Sequence, residues 1–249
     1  MSLDFIRPDW SAPSHVRAVV TTRTGGVSVG AYASLNIGKS SGDEPKHVDE
    51  NRRRAFALLG VPAEPSWILQ VHGARAVRAP FSANELHPRA DASYTTERGV
   101  VCLVQSADCL PVLFCDEAGT MVAAAHAGWR GLAAGVLETT IAALPASPKR
   151  LLAWLGPAIG PQAFEVGADV IDAFAPLGEA ARQAFAPRSA PGKWLCDLYA
   201  LARLRLQRAG IEAISGGGWC THTDAGRFFS FRRDGNCGRM ASLIWLEPS

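Results

Sequence analysis

Two hydrophobic patterns alternate along the chain, and each is typical of a different secondary structure. Short apolar runs predict strands at residues 16–21, 66–71, 110–115, 121–125, 151–155, 211–214 and 241–246. Apolar positions at helical spacing predict helices at residues 45–60, 132–144, 166–174 and 195–209. Asp43 is placed to cap the first of these helices, and Gly210 is placed to end the last. The sequence therefore predicts a layered chain of strands and helices.

The strongest local signal is a β-hairpin built from residues 110–115 and 121–125, with a turn-rich segment between them. If the hairpin closes symmetrically on Ala118 and Gly119, Pro111 lies opposite His126. Side chains alternate with period two, so Cys109 shares a face with His126, roughly 7–8 Å away between backbones. The sequence thus predicts a thiol and an imidazole at the open end of one hairpin.

The residues beside this pair indicate chemistry. A buried cysteine and a core histidine would be the ordinary interpretation, since cysteine is among the most buried residue types. However, Asp108 precedes the cysteine, and Trp129 and Arg130 follow the histidine between glycines. An apolar core has no use for a carboxylate, a stacking surface and a fixed cation together, so we interpret Cys109, His126 and Asp108 as candidate catalytic residues.

His72 adds a third candidate ligand. It follows the apolar run 66–71 and precedes Gly73, and His126 likewise ends an apolar run. A single histidine at a strand end is ordinarily structural. Two histidines and one cysteine from separate strand ends match the three protein ligands of a catalytic zinc site with an open fourth position. We therefore predict a metal site formed by His72, Cys109 and His126.

Two further segments carry arginines beside glycines or aromatics. Residues 22–30 are glycine-rich, and a surface loop is the favoured interpretation over an anion site completed by Arg23, because no phosphate-binding glycine motif is present. Near the C-terminus, Phe229, Phe231 and Arg232 form either a half-buried strand or part of a surface that holds a planar or anionic ligand. Residues 51–54, with three consecutive arginines, are expected on a solvated helix face.

Composition limits the classes of function. The 249 residues are 48% hydrophobic and 19% charged, with a net charge of +2 and no linker, which predicts a single domain spanning 1–249. No basic patch indicates a nucleic-acid or membrane partner, so a small-molecule substrate is expected. The N-terminus lacks an apolar signal segment, which predicts a cytoplasmic protein. Six cysteines without a C-x-x-C pair indicate free thiols.

The motifs TTRTGG, QVHG, SADCLPVLFCD, AAAHAGWRG, LGPAIGP, CTH and FFSFRRDG occur in this order. Through these motifs the chain resembles the YfiH family, also called the laccase-domain or polyphenol oxidase family. Members of this family are regarded as purine nucleoside phosphorylases. The resemblance implies an α+β fold, a four-layer sandwich with mixed β-sheets flanked by helices, and zinc held by His72, Cys109 and His126. It also implies phosphorolysis of adenosine, inosine, guanosine and S-methyl-5'-thioadenosine, together with deamination of adenosine.

These reactions suggest roles for particular residues. In deamination, zinc would activate a water for attack at the purine carbon that bears the amine, and Asp108 could orient a ligand or move a proton. In phosphorolysis, phosphate must be held while positive charge develops on the sugar. Arg23 and one of Arg130 or Arg232 are the candidate clamp, and Asn36 is grouped with them as a substrate or phosphate ligand.

Three alternatives remain open. In a metal-free cysteine hydrolase, Cys109 would be the nucleophile and His126 its base. The family resemblance links such hydrolysis to the editing of peptidoglycan precursors. A copper-dependent polyphenol oxidase is disfavoured, because six histidines are fewer than the about ten that a multicopper enzyme needs. A closed structural metal site would need Cys220 or His222 as a fourth ligand. The oligomer is expected to be a monomer or a homodimer.

Overall fold

The computed structural model describes residues 3–81 and 87–248. In these ranges the strands are β1 (Phe5–Ile6), β2 (Val16–Thr21), β3 (Ala76–Arg78), β4 (Ala92–Thr95), β5 (Val101–Ser106), β6 (Leu110–Asp116), β7 (Val122–Ala127), β8 (Leu151–Leu155), β9 (Glu165–Val166), β10 (Phe185–Pro187), β11 (Trp194–Cys196), β12 (Ala213–Gly216) and β13 (Met240–Leu246). The α-helices are α1 (Pro45–Leu59), α2 (Trp129–Ala134), α3 (Val136–Ala143), α4 (Ala168–Phe174), α5 (Glu179–Arg182), α6 (Leu198–Arg208) and α7 (Phe231–Asp234). None of these helices is long and apolar enough to cross a bilayer.

Two sheets organise the molecule. The larger has six strands in the order β12-β8-β6-β7-β4-β3, in which β12–β8 and β3–β4 are parallel pairs and the other pairs are antiparallel. The smaller has four antiparallel strands in the order β1-β2-β13-β5. A third sheet has three strands in the order β10-β11-β9, and none of them pairs with a strand of the two larger sheets. The mixed sheets predicted by the family resemblance are confirmed.

Alternation along the strands produces four layers. On β6, Phe114 faces a core shared with α2, α3 and α6, whereas Leu113 faces a second core shared with the four-stranded sheet. On β5, Val104 belongs to that second core, and Leu103 faces a third core covered by Ala55 of α1. The order is therefore helix, sheet, sheet, helices, which confirms the predicted four-layer α+β sandwich.

The predicted hairpin register is confirmed. Pro111 of β6 pairs with His126 of β7. Asp116 closes the turn, because its carboxylate accepts hydrogen bonds from the backbone N–H of Thr120 at 2.6 Å and of Met121 at 3.2 Å. This turn fixes which residues of the two strands face each other. It therefore also fixes the position of His126 relative to Cys109, the residue before β6.

The start of α1 differs from the prediction. Glu44, not Asp43, occupies the N-cap, and it makes no side-chain capping bond. The Asp43 carboxylate instead accepts hydrogen bonds from Ser28 at 2.6 Å and Asn36 at 3.0 Å. Asn51 was expected on the solvated face but is fully buried. Its amide donates to the Ser28 hydroxyl and to the carbonyls of Ser34 and Asn36, so it holds the segment after the glycine-rich loop against α1.

Other predicted elements are shorter or divided. The helix expected at 132–144 is two helices, separated at Gly135, which has a φ of +93°. The helix expected at 195–209 begins at Leu198, because Asp197 caps it and Leu195 pairs in β11. The helix expected at 166–174 begins at Ala168, and the strand expected at 211–214 is β12, two residues later.

The strand predicted at 66–71 is wrong. Ser66 and Leu69 form only isolated bridges, with Cys102 and Arg89. The Gln70 side chain takes the place of a strand ladder: its amide donates to the Gln105 carbonyl at 2.8 Å and accepts from the Gln105 N–H at 2.7 Å. The segment that carries His72 is therefore an extended loop tied to the end of β5.

Candidate metal centre

Three side chains that are distant in sequence converge between the two sheets. The ligand atoms of His72, Cys109 and His126 all lie within 4.8 Å of one another. The Cys109 Sγ is 3.9 Å from the His72 Nε2, and the two imidazole rings are 4.9 Å apart in an edge-to-face arrangement. His72 is exposed, Cys109 is half-buried and His126 is buried, so the group opens to solvent on the His72 side.

The chain enters this cluster through unusual backbone conformations. His72 has a φ of +58° and Asp108 a φ of +89°, and they are the two non-glycine residues with positive φ in the described ranges. Such conformations cost roughly 1–3 kcal/mol and collect at functional sites, where the surrounding structure maintains them. Both residues are at or next to a member of the cluster, which supports a function for it.

Asp91, which sequence reasoning missed, holds the cluster together. It is fully buried, and its carboxylate accepts hydrogen bonds from the backbone N–H of Val71 at 3.2 Å, His72 at 2.9 Å and Gly73 at 2.7 Å. The same carboxylate bonds the His126 Nδ1 at 2.9 Å. That bond occupies the Nδ1, so the His126 Nε2 is the ring nitrogen that can bind a metal, an arrangement typical of metal-binding histidines.

Gly128 explains why the segment after His126 is glycine-rich. A Cβ at this position would lie 2.8 Å from the Cys109 Sγ and 3.2 Å from the His72 Cδ2. Gly131 is equally confined, since its Cβ would lie 2.7 Å from the Gly73 carbonyl oxygen. The glycines therefore allow the start of α2 to approach the cluster.

The electrostatics of the cluster favour a thiolate. Burial alone would raise the pKa of Cys109, but the charge of His126 and hydrogen bonds from both histidines lower it to about 6. Burial acts to lower the pKa of His126, and Cys109 and Asp91 together raise it to about 9. Burial also acts to raise the pKa of Asp91, yet the hydrogen bonds from His126 and the loop hold it below its usual value.

This donor set fits a divalent ion. A thiolate and two imidazole nitrogens are the ligands that zinc prefers, and tetrahedral zinc places its ligand atoms roughly 3.3–3.6 Å apart. The three atoms here need to approach by only about an ångström from their 4.8 Å limit. Cys220 and His222 do not belong to the group formed by the described residues, so the closed structural site with a fourth protein ligand is not supported.

The cluster lines a cleft of about 540 Å³. Asp108 lines it, but its carboxylate is already engaged: Thr221 donates its hydroxyl at 2.6 Å, and the backbone N–H of Arg232 donates at 2.6 Å. Asp108 therefore joins the end of β5 to the start of α7.

The half-buried strand considered for Phe229, Phe231 and Arg232 is wrong, because Ser230 caps α7 here.

Three arginines line the cleft: Arg130, Arg232 and Arg239. In the described part of the chain, none of them forms an ion pair with a carboxylate. Arg130 lies over the Trp129 ring at 4.3 Å, and Arg232 lies over the Phe164 ring at 5.2 Å. Arg239 was missed, because the sequence offers no reason to separate it from other arginines. The cleft is therefore cationic.

Two predicted ligands of substrate or phosphate do not line this cleft. The Arg23 guanidinium donates to the carbonyls of Ala33 at 2.9 Å and Ala225 at 3.0 Å, so it joins the glycine-rich loop to the C-terminal segment. Asn36 is fully buried and is not among the residues that line the cleft. Their predicted roles in direct ligand contact gain no support from this geometry.

All six cysteines are free, as predicted.

Known proteins of one family match this chain over nearly its full length. A family model described as multi-copper polyphenol oxidoreductase laccase matches residues 17–247. A Pseudomonas aeruginosa protein named as a purine nucleoside phosphorylase is 54% identical over 98% of each chain. The Escherichia coli K12 protein named purine nucleoside phosphorylase YfiH is 52% identical, over 97% of this chain and 98% of that protein.

Solved structures agree as well. A Neisseria meningitidis protein of the DUF152 family has a TM-score of 0.91 at 51% identity, covering 98% of this chain and 99% of that one. YlmD from Geobacillus stearothermophilus has a TM-score of 0.87 at 32% identity, covering 94% and 93%. The chain therefore belongs to the YfiH family of laccase-domain proteins.

Proposed function

We propose that the chain is a zinc-dependent purine nucleoside phosphorylase. Its substrates would be adenosine, inosine, guanosine and S-methyl-5'-thioadenosine, and it would also deaminate adenosine. The observation that carries the proposal is one cleft lined both by a His-Cys-His cluster and by three arginines whose guanidinium groups form no ion pair in the described chain. The names of relatives at about half identity support the same activity.

The lining of the cleft suits a ligand with a flat apolar part and an anionic partner. Leu69 and Phe231 line it and are 45% and 57% exposed, and they are two of five large hydrophobic residues exposed in the described ranges. Exposed apolar groups beside a concave site favour burial of a matching ligand surface. A purine base would supply that surface, and phosphate would pair with the guanidinium groups.

Phosphorolysis breaks the bond between the ribose C1' and the purine nitrogen and forms a bond from C1' to a phosphate oxygen. Arg130 and Arg232 are suited to bind the phosphate while positive charge develops on the ribose. Asp108 would act as a positioning residue, since it fixes the Arg232 backbone at 2.6 Å. A zinc ion held by His72, Cys109 and His126 would supply Lewis acidity and activate water.

Product analysis with and without phosphate tests the proposal. With adenosine and phosphate we expect adenine and ribose 1-phosphate, together with some inosine. Without phosphate we expect inosine alone, because hydrolytic deamination needs only water. An enzyme loaded with zinc that releases neither base nor inosine at high concentration would contradict the proposal. Elemental analysis of the purified protein separates zinc from copper, the older alternative.

A metal-free cysteine hydrolase is the second candidate. The pKa of Cys109, lowered to about 6 beside His126, favours it, because a thiolate is the reactive nucleophile. The two candidates differ in their response to chelation. A phosphorylase that depends on zinc loses activity when the ion is removed and regains it when zinc returns. A cysteine hydrolase retains or gains activity on removal.

A further inference from the structure

Arg239 is a cleft residue whose guanidinium retains donors for a ligand. Its Nη1 donates to the carbonyls of Cys237 at 2.6 Å and Gly238 at 3.0 Å. Its Nε and Nη2 bond nothing in the part of the chain that the structure describes. Met240 pairs with Ser106, so Arg239 lies at the level of Ala107, two residues before Cys109 of the His-Cys-His cluster. The arginine is therefore close to the cluster by register.

Asn36 fixes the backbone on which Arg239 stands. Its Oδ1 accepts hydrogen bonds from the N–H of Arg239 and of Gly38, both at 2.9 Å. Its Nδ2 donates to the Ser41 hydroxyl at 2.8 Å and to the Asp43 carboxylate at 3.0 Å. Because Asn36 is fully buried and uses both ends of its amide, it locks loop 38–41 to the start of β13.

Gly38 packs directly on the arginine side chain. A Cβ at this position would lie 2.8 Å from the Arg239 Cγ and 3.1 Å from its Cβ. The Gly38 backbone is thus in contact with the stem of Arg239 on one side, which limits where the guanidinium can go. Ser40, in the same loop, also lines the cleft and is exposed. Arg239 and Ser40 therefore line one cleft, beside a loop that is held against the arginine by Asn36 and Gly38.

We infer that Arg239 and Ser40 form a binding subsite for a tetrahedral oxyanion, with Asn36 and Gly38 as its positioning residues. The subsite rests on the proposed function, in which the anion is inorganic phosphate, and it adds Arg239 and Ser40 to Arg130 and Arg232, which line the same cleft. A guanidinium with two unpartnered nitrogens matches two oxygens of one phosphate group. Asn36 acts through Arg239 and does not touch the anion. The competing explanation is that Arg239 only closes its own turn by bonding two carbonyls.

Steady-state kinetics of Arg239→Met separates the two explanations. Loss of a charge-assisted contact should raise the KM for phosphate by about tenfold to a hundredfold, with the KM for nucleoside changed less than about twofold. Arg98→Met is the matched control, since Arg98 also donates to a carbonyl, that of Glu247, but does not line the cleft. Equal increases in both KM values, or an equal effect of Arg98→Met, would overturn the subsite.

Gly38→Ala provides a second variant that keeps the guanidinium. The backbone at Gly38 has a φ of −88°, which alanine adopts readily. Its methyl group therefore acts on its neighbours, which are the Arg239 stem at 2.8 Å and the Gln105 Oε1 at 3.1 Å. We expect a higher KM for phosphate and an unchanged KM for nucleoside. A role confined to closing the turn would not produce this selective change.

Direct binding keeps the subsite distinguishable from the proposed function. Calorimetric titration of the zinc-loaded protein with inorganic phosphate, without nucleoside, should show binding that Arg239→Met weakens by at least tenfold. If the wild type binds phosphate in this way but cleaves no nucleoside, the phosphorylase proposal fails and the subsite stands. If Arg239→Met binds phosphate as tightly as the wild type, the subsite is wrong whatever the activity.

Discussion

Replacing Asp91 by asparagine removes a negative charge beside the His-Cys-His cluster, and the side chain keeps nearly the same volume. The carboxylate accepts four hydrogen bonds, three from consecutive backbone N–H groups around His72 and one from the His126 Nδ1. An asparagine keeps one acceptor oxygen and turns an NH2 group toward donors. Two of the three proposed ligands thus lose the same support in one substitution.

The size of the effect follows from these contacts. Loss of a hydrogen-bond partner behind a metal-binding histidine typically costs 10–100-fold in metal affinity. This corresponds to about 1.4–2.8 kcal/mol of binding free energy. Asp91 also closes the His72 loop, and hydrogen bonds to a buried charge contribute roughly 1.5–3 kcal/mol, so we expect a loss of folding stability on the order of 3 kcal/mol. Zinc affinity and stability should therefore fall together.

Asp116→Asn is the matched control. Asp116 is also buried, and its carboxylate accepts three hydrogen bonds from Thr120 and Met121, but it lies at the opposite end of the hairpin. Zinc affinity is measured by competition with a chromophoric chelator, and stability by urea unfolding of the metal-free protein. Both variants should be less stable, and only Asp91→Asn should bind zinc more weakly. Equal zinc affinity in the wild type and both variants would refute the reasoning.

Two shorter predictions concern the other parts of the cluster. Gly128→Ala should abolish tight zinc binding in the chelator competition, because its methyl group would lie 2.8 Å from the Cys109 Sγ, whereas Gly226→Ala, with its nearest atom at 3.8 Å, should not. In peptide mapping after iodoacetamide treatment, Cys109 should be labelled only after chelation, and half-exposed Cys220 in both states. Labelling of Cys109 in the zinc-loaded protein at the rate of the chelated protein would contradict the assignment of the ligand.

The sequence allows part of the cluster to be predicted because one local rule governs it. A hairpin turn fixes the register of its two strands, and strand periodicity then fixes which side chains share a face. The pairing of Pro111 with His126 is therefore predictable by counting from the turn. Cys109 is near His126 for the same reason, since it lies one residue before β6.

His72 reaches the cluster through a contact that no local pattern contains. Its segment is not a strand, and the Gln70 side chain substitutes for ladder hydrogen bonds. The position of the loop depends on Asp91, 19 residues later, whose sequence context shows only a carboxylate before a strand. The proposal of His72 as a ligand from sequence rests on its likeness to His126, and the reason for its position is tertiary.

The arginines are a second case in which sequence patterns do not identify the residues that line the cleft. Arg23 and Arg239 both lie within two residues of a glycine, and charge patterns in the sequence cannot separate them. In the structure, Arg23 donates to two carbonyls and lies over the Phe229 ring at 4.8 Å, and burial lowers its pKa. Arg239 is held at its backbone by Asn36 and faces the cleft. An arginine can bind a ligand where packing fixes its stem and leaves donor nitrogens unpaired, and both conditions are set by residues distant in sequence.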